Sequence, residues 1–202
     1  MSDEPVVRRA AVEPELAAEY PGLWLAWTAV PATLRASPPE LRARLRGLAD
    51  RMHGAQALAL RTHEVPHAYR VFFRHVGLDP DLYRTPVEAI ALRRMFEGGL
   101  HSRGLVEDAL TVAVLETGVG VMGFDADGLA GELQLRRDDA DDTIVIADDE
   151  GRVAVLFCEP DARAHLSRDT RRVALVAVTI PNVAQIFVEE ALWTAWEILR
   201  DD

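Results

Sequence analysis

One stretch, residues 105–137, constrains the fold of this chain more than any other. Residues 105–117 read as a strong helix, with Glu107 and Asp108 in the first turn, where carboxylates favour the positive helix end. Gly118 supplies the left-handed stop that commonly closes a helix. Gly123-Phe124-Asp125-Ala126-Asp127-Gly128 then reads as a tight polar turn, and Gly131 opens a strand over 132–137. The spacing predicts that the helix packs beside this strand and that the turn, with Phe124 and Asp125, borders a concave site.

The flanking segments sort by period. Residues 23–30 are apolar, with β-branched residues at the end, and predict a strand. Ser37-Pro38-Pro39-Glu40 has the form of a capping box, and Leu41, Leu45 and Leu48 follow at helical spacing, which predicts a helix to about Leu60. A short helix is expected over 67–76, stopped by Gly77, and a turn at Leu78-Asp79-Pro80. Thr85-Pro86-Val87-Glu88 is a second capping box, opening a helix that runs to Gly98-Gly99. Strands are expected at 143–147, 152–158 and 172–180, with Asp148-Asp149-Glu150-Gly151 as a hairpin turn. Pro181-Asn182 ends the last strand, and an amphipathic helix closes the chain to Arg200. Helices and strands are partly segregated, so the expected class is α+β. Residues 1–22 read as an N-terminal arm and 23–202 as a single domain.

Charge narrows the chemistry. The chain has 33 acidic and 22 basic residues, a net charge of −11, and every basic residue that is not histidine is arginine. The absence of lysine excludes Schiff-base catalysis by a side-chain amine. So negative a chain repels nucleic acid unless arginines gather on one face, so bulk nucleic acid is not an expected partner. No apolar run reaches the roughly eighteen residues of a membrane span, and the acidic start lacks a signal-peptide pattern, so the expected location is the cytoplasm. The single cysteine, Cys158, ends the apolar run 153–158 and reads as a buried, inert thiol.

Several motifs in order point to one family. Tyr69-Arg70 precedes the Gly77-Leu78-Asp79-Pro80 turn. Arg84-Thr85-Pro86-Val87-Glu88-Ala89 opens a helix, and the 106–136 segment ends in Phe124-Asp125-Ala126-Asp127 and a glycine-led strand. Ile144-Val145-Ile146-Ala147-Asp148 and Ser167-Arg168-Asp169-Thr170 complete the set. Together, over roughly 55–200, they resemble the B3/B4 domain of the phenylalanyl-tRNA synthetase beta subunit, which edits mischarged tRNA. Nothing resembles that enzyme's ATP-binding core. The resemblance implies a free-standing three-layer domain, with helices packed on a β-sandwich of unusual topology. The partner it implies is a tRNA acceptor end or a free amino acid, with hydrolysis of mischarged tRNA as the associated activity and no cofactor. The alternative class is a non-catalytic ligand- or protein-binding module that kept the fold and lost the editing site.

The same resemblance assigns residues. Phe157-Cys158-Glu159 aligns with a Gly-Gly-Glu that supplies a pocket carboxylate, which makes Glu159 the candidate catalytic residue. Arg84, Asp108, Thr111, Met122, Phe124 and Asp125 are the candidate substrate-binding residues. Thr111 stands where the family has Asn and Met122 where it has His, and a methionine transfers no proton. Read from the residues alone, Asp108 also suits a helix-capping role, and Arg84 suits either a carboxylate clamp or the tethering of an acidic loop. The His63/His67 pair lacks a third ligand, so no metal is expected. Asp138-Asp139-Ala140-Asp141-Asp142 lacks the glycine and distal glutamate of a calcium loop and reads as a solvated hairpin tip. Trp193 and Trp196 read as core anchors.

Overall fold

A computed structural model describes residues 4–52, 59 and 62–200. Among them are six α-helices and two four-stranded sheets. The chain begins with two short strands, β1 (Arg8–Arg9) and β2 (Ala11–Val12), and a helix, α1 (Pro14–Glu19). Strand β3 (Trp24–Pro31) follows, then helices α2 (Pro39–Asp50), α3 (Glu64–His75), α4 (Pro86–Glu97) and α5 (Leu105–Thr117). Strands β4 (Val121–Asp125), β5 (Gln134–Arg137), β6 (Ile144–Asp148), β7 (Gly151–Val155) and β8 (Arg172–Thr179) precede the last helix, α6 (Gln185–Arg200).

The first sheet has the order β1-β3-β8-β4 and is antiparallel throughout. Its centre is the β3–β8 ladder, in register from Trp24 opposite Thr179 to Pro31 opposite Arg172. Val173 to Val178 are wholly buried, so β8 is covered on both faces and reads as a continuous apolar run rather than an alternating one. Helix α6 lies on β3 and β8 and packs along α5. It buries Val188, Ala191, Leu192, Ala195, Trp196 and Leu199, a stripe at helical spacing. Trp196 is a core anchor as expected, whereas Trp193 is 40% exposed because it falls outside that stripe.

The second sheet has the order β2-β5-β6-β7, with β2 parallel to β5 and the other pairs antiparallel. The N-terminal segment joins the two sheets. Arg8–Arg9 pairs with β3, Ala11–Val12 pairs with β5, and the buried Ala10 between them donates its N–H to the Leu25 carbonyl. The acidic hairpin tip, between β5 and β6, is exposed at Asp139 to Asp142.

Three expectations need correction. The expected turn over Gly123 to Gly128 is confined to Ala126–Gly128: Val121–Asp125 is a strand paired with β8, from Val121 opposite Ala177 to Asp125 opposite Val173. Helix α5 therefore packs on β4, α2, α4 and α6, while β5 belongs to the other sheet. Ser37 does not cap α2. Pro38 holds the cap position, and the Ser37 hydroxyl is drawn to the Asp108 carboxylate. Helix α2 ends at Asp50, and of the expected extension to Leu60, residues 53–58 and 60 lie outside the described residues. The second capping box is present: the Thr85 backbone N–H and hydroxyl both donate to Glu88 Oε2.

Candidate functional site

The site is assembled around the start of α5. Gly104, at φ 117°, turns the chain into the helix, and Leu105 donates its N–H to the Arg35 carbonyl. Asp108 is buried and fixes this corner. Its Oδ2 accepts from the Ser37 and Ser102 hydroxyls, and its Oδ1 accepts from the Arg103 backbone N–H. These three bonds tie two segments of the chain, Ser37 and Ser102–Arg103, to the start of α5, so Asp108 holds the site together and does not line it. Removing it would leave two hydroxyls and an N–H without an acceptor.

Strand β4 forms the floor. Phe124 is wholly buried and Met122 half-buried. A Cβ on Gly120 would stand 2.8 Å from the Pro86 Cγ, so only glycine lets the start of α4 close on the approach to β4. The Gly120 N–H donates to the hydroxyl of Tyr69, which donates in turn to the Val178 carbonyl. Burial pushes the Tyr69 phenol far above its ordinary value, with the Gly120 N–H opposing, so the group stays protonated.

Between α4, α5, β4 and the loops 157–160 and 165–168 lies a cleft of about 730 Å³. Its apolar walls come from Ile90 on α4, Leu110 and Val114 on α5, Met122 and Phe124 on β4, and Phe157. Phe157 has a φ of 62°, a left-handed conformation rare for a bulky residue, and its ring packs on Tyr69 and Phe73 at centroid distances of 5.5 and 5.4 Å. The polar lining has four arginines, Arg35, Arg93, Arg103 and Arg168, against two glutamates, Glu107 and Glu159. In a chain of net charge −11, this lining has the opposite sign to the whole.

Arg93 is the cation set deepest. It is half-buried, it donates from Nη2 to Thr111 Oγ1 at 3.3 Å, and its Nε is buried without a partner. No carboxylate of the described residues pairs with it. Its neighbour Arg94 projects elsewhere and donates to the Ala49 carbonyl.

Of the seven residues singled out from sequence, the cleft brings together Thr111, Met122, Phe124 and Glu159. Arg84, Asp108 and Asp125 stand outside it. Arg84 donates to the Pro80 carbonyl and faces Asp81 at 3.7 Å, which ties the loop before α4. Asp125 accepts from the Thr170 hydroxyl and the Asp127 N–H, closing the end of β4. Cys158 is a correction of another kind. Strand β7 ends at Val155, so the thiol is exposed on the cleft rim and not buried in a strand. Partial desolvation, and then the Glu159 carboxylate, hold that thiol above its ordinary value, which leaves little thiolate for nucleophilic attack.

Two cleft residues escaped the sequence reading. Arg93 follows Pro86, Ala89 and Ile90 at i+7, i+4 and i+3, one helical face, and that spacing was the available signal. His165 is exposed at the rim, and its Nδ1 lies 2.9 Å from the Leu166 carbonyl. A carbonyl only accepts, so this contact is a hydrogen bond when Nδ1 carries the proton. No local sequence signal marks it. The His63/His67 pair is the first turn of α3, with the His67 N–H on the His63 carbonyl. Among the described residues, no group of three His, Cys, Asp or Glu side chains is placed to hold a metal ion. Nor, among the described residues, is any helix long and apolar enough to cross a membrane. In sequence, the chain matches no protein-family model and no curated protein.

Proposed function

We propose that this protein is a free-standing relative of the B3/B4 domain whose cleft holds an amino acid or the aminoacyl end of a tRNA, and that it binds without hydrolysing. The observation that carries the reading is the cleft itself. Four of the residues that the resemblance assigns to a pocket, Thr111, Met122, Phe124 and Glu159, line it together. Helices packed on the first sheet, together with a second sheet, support the reading at the level of a mixed helix-and-sheet fold.

Binding without hydrolysis follows from the lining. Met122 offers soft apolar contact where the family has a histidine, so it neither positions a water nor moves a proton. Thr111 supplies one hydroxyl in place of an amide. Such a pocket discriminates poorly for a tyrosine hydroxyl, because a site without partners for that group gives up most of the selectivity they provide. The second reading is ester hydrolysis. Glu159 and His165 both line the cleft, a carboxylate and an imidazole able to handle a proton, and favour it.

A deacylation assay over a panel of mischarged tRNAs, run beside equilibrium binding of charged and uncharged tRNA, separates these readings. Charged tRNA is expected to bind more tightly than uncharged and to survive incubation. Turnover abolished by Glu159→Ala or His165→Ala would establish hydrolysis instead. Equal binding of charged and uncharged tRNA, with no amino acid bound, would refute both.

A further inference from the structure

We infer that Arg93 is a carboxylate clamp, so that the ligand this cleft is built for is a free amino acid with an apolar side chain rather than its ester. The inference rests on the reading above only for the place where the ligand sits.

The argument starts from what each arginine does. Arg70 is shared between Glu88 and Asp81, Arg103 pairs with Glu97, Arg137 with Glu19 and Asp142, and Arg163 with Asp148. Acidic side chains outnumber basic ones 33 to 22, so a carboxylate partner is easy to supply. Arg93 has been given none among the described residues, although it stands in a cleft where desolvation makes the lack costly. Its Nε is buried and unpartnered, and its Nη2 makes one long bond to Thr111.

The donor geometry suits one kind of guest. A guanidinium presents paired N–H groups along an edge, spaced to meet the two oxygens of a carboxylate. Thr111 Oγ1 accepts from Arg93, so its own proton remains available, and no acceptor among the described residues takes it. The clamp thus offers the terminal edge of a guanidinium that the described residues leave without a carboxylate, and a hydroxyl beside it, on one side of the cleft. Ile90, Leu110, Val114 and Met122 line the same cleft and would receive an apolar side chain. An ester carries no negative charge and has one carbonyl oxygen to present, so it cannot take both positions.

The test compares each free amino acid with its own amide, which keeps the amino group and the side chain, removes the negative charge and puts an N–H donor in place of one acceptor oxygen. Calorimetric titration of the full chain with phenylalanine, tyrosine, leucine, methionine and their amides is the primary measurement. Acids are expected to bind about 10- to 100-fold more tightly than amides, the usual worth of a hydrogen bond to a charged group. Arg93→Gln should remove that difference and leave weak amide binding in place. Because the acid–amide comparison is made on the unaltered protein, it stands even where a variant folds poorly. Inorganic phosphate is a third arm. Equal binding of acids and amides overturns the clamp but leaves the cleft reading intact, and so does phosphate bound more tightly than any acid. Tight binding of free acids, with no preference for charged tRNA, upholds the clamp while the tRNA reading fails. No binding of any acid overturns the clamp.

Discussion

Arg163 and Arg93 are both partly buried guanidiniums, and they have been treated in opposite ways. Arg163 reaches across to Asp148, a wholly buried carboxylate, with Nη1 on Oδ2 at 2.7 Å and Nη2 on Oδ1 at 2.6 Å. It also donates to the carbonyls of Gly128, Gly151 and Arg152. Asp148 in turn accepts the N–H groups of Ala130 and Glu150. Every strong hydrogen-bonding group in that corner is answered, and the corner ties the segment after β4 to the second sheet. Arg93 has one long bond and an orphaned Nε. The contrast separates a guanidinium used to fix the chain from one whose donors the described residues leave largely unanswered.

The corner should be the more fragile under substitution. Arg163→Ala leaves a buried carboxylate without its countercharge, and breaking a buried pair from one side costs about 3–5 kcal/mol. Urea denaturation should show that loss as a lower midpoint with an unchanged slope; a loss under about 1 kcal/mol would show that the fork is ornamental. As a reference for ordinary packing, Leu192→Ala on α6 should cost about 2–5 kcal/mol, since it empties a wholly buried site between α5 and the first sheet.

The corner also carries a pH signature. Burial pushes the Asp148 carboxyl upward, but the Arg163 fork and the two N–H donors outweigh it and hold the group below its ordinary value. A depressed folded-state value stabilises the fold above the unfolded value, near pH 4, and the contribution is lost as pH falls through the folded one. Stability should therefore decline below about pH 4, and Asp148→Asn should flatten that decline while lowering the plateau at neutral pH. An unchanged acid limb in the variant would assign the decline to other carboxylates.

At the floor of the cleft, Gly120→Ala forces a methyl to within 2.8 Å of the Pro86 ring and should cost about 1–3 kcal/mol by overpacking. Arg93→Met should have the smallest effect of the series, and of the opposite sign. Removing a desolvated donor that has no partner is neutral or stabilising by up to about 1 kcal/mol. A destabilisation of more than about 2 kcal/mol would place Arg93 with Arg163 as a structural group and erase the contrast.

What the sequence disclosed follows the range of the forces involved. Helix α5 was legible because its limits are local: carboxylates in its first turn and a left-handed glycine at Gly118, φ 80°. The capping box at Thr85 was legible for the same reason. Strand β4 was not, because five residues interrupted by Gly123 show no alternation, and they are a strand only through pairing with β8, some fifty residues away. Ser37 fits a local cap motif, yet a buried carboxylate 71 residues away competes for its hydroxyl and wins. Cys158 sat in an apolar run that promised burial until the chain turned at Phe157. Arg93 was overlooked because an adjacent arginine pair on a helix reads as a solvated face. One member is solvated no further than the Ala49 carbonyl, and the other lines the cleft.

The claim that the cleft is the ligand site is tested most directly by mapping where a free amino acid lands. Titration of ¹⁵N-labelled protein with phenylalanine or leucine, followed by amide chemical shifts, should move Ala89 to Arg93, Thr111, and Met122 to Gly123 together. The Asp148 corner and the exposed face at Ile186 and Trp193 should stay still. Shifts gathered on that exposed face, or no shifts at saturating concentration, would contradict the account.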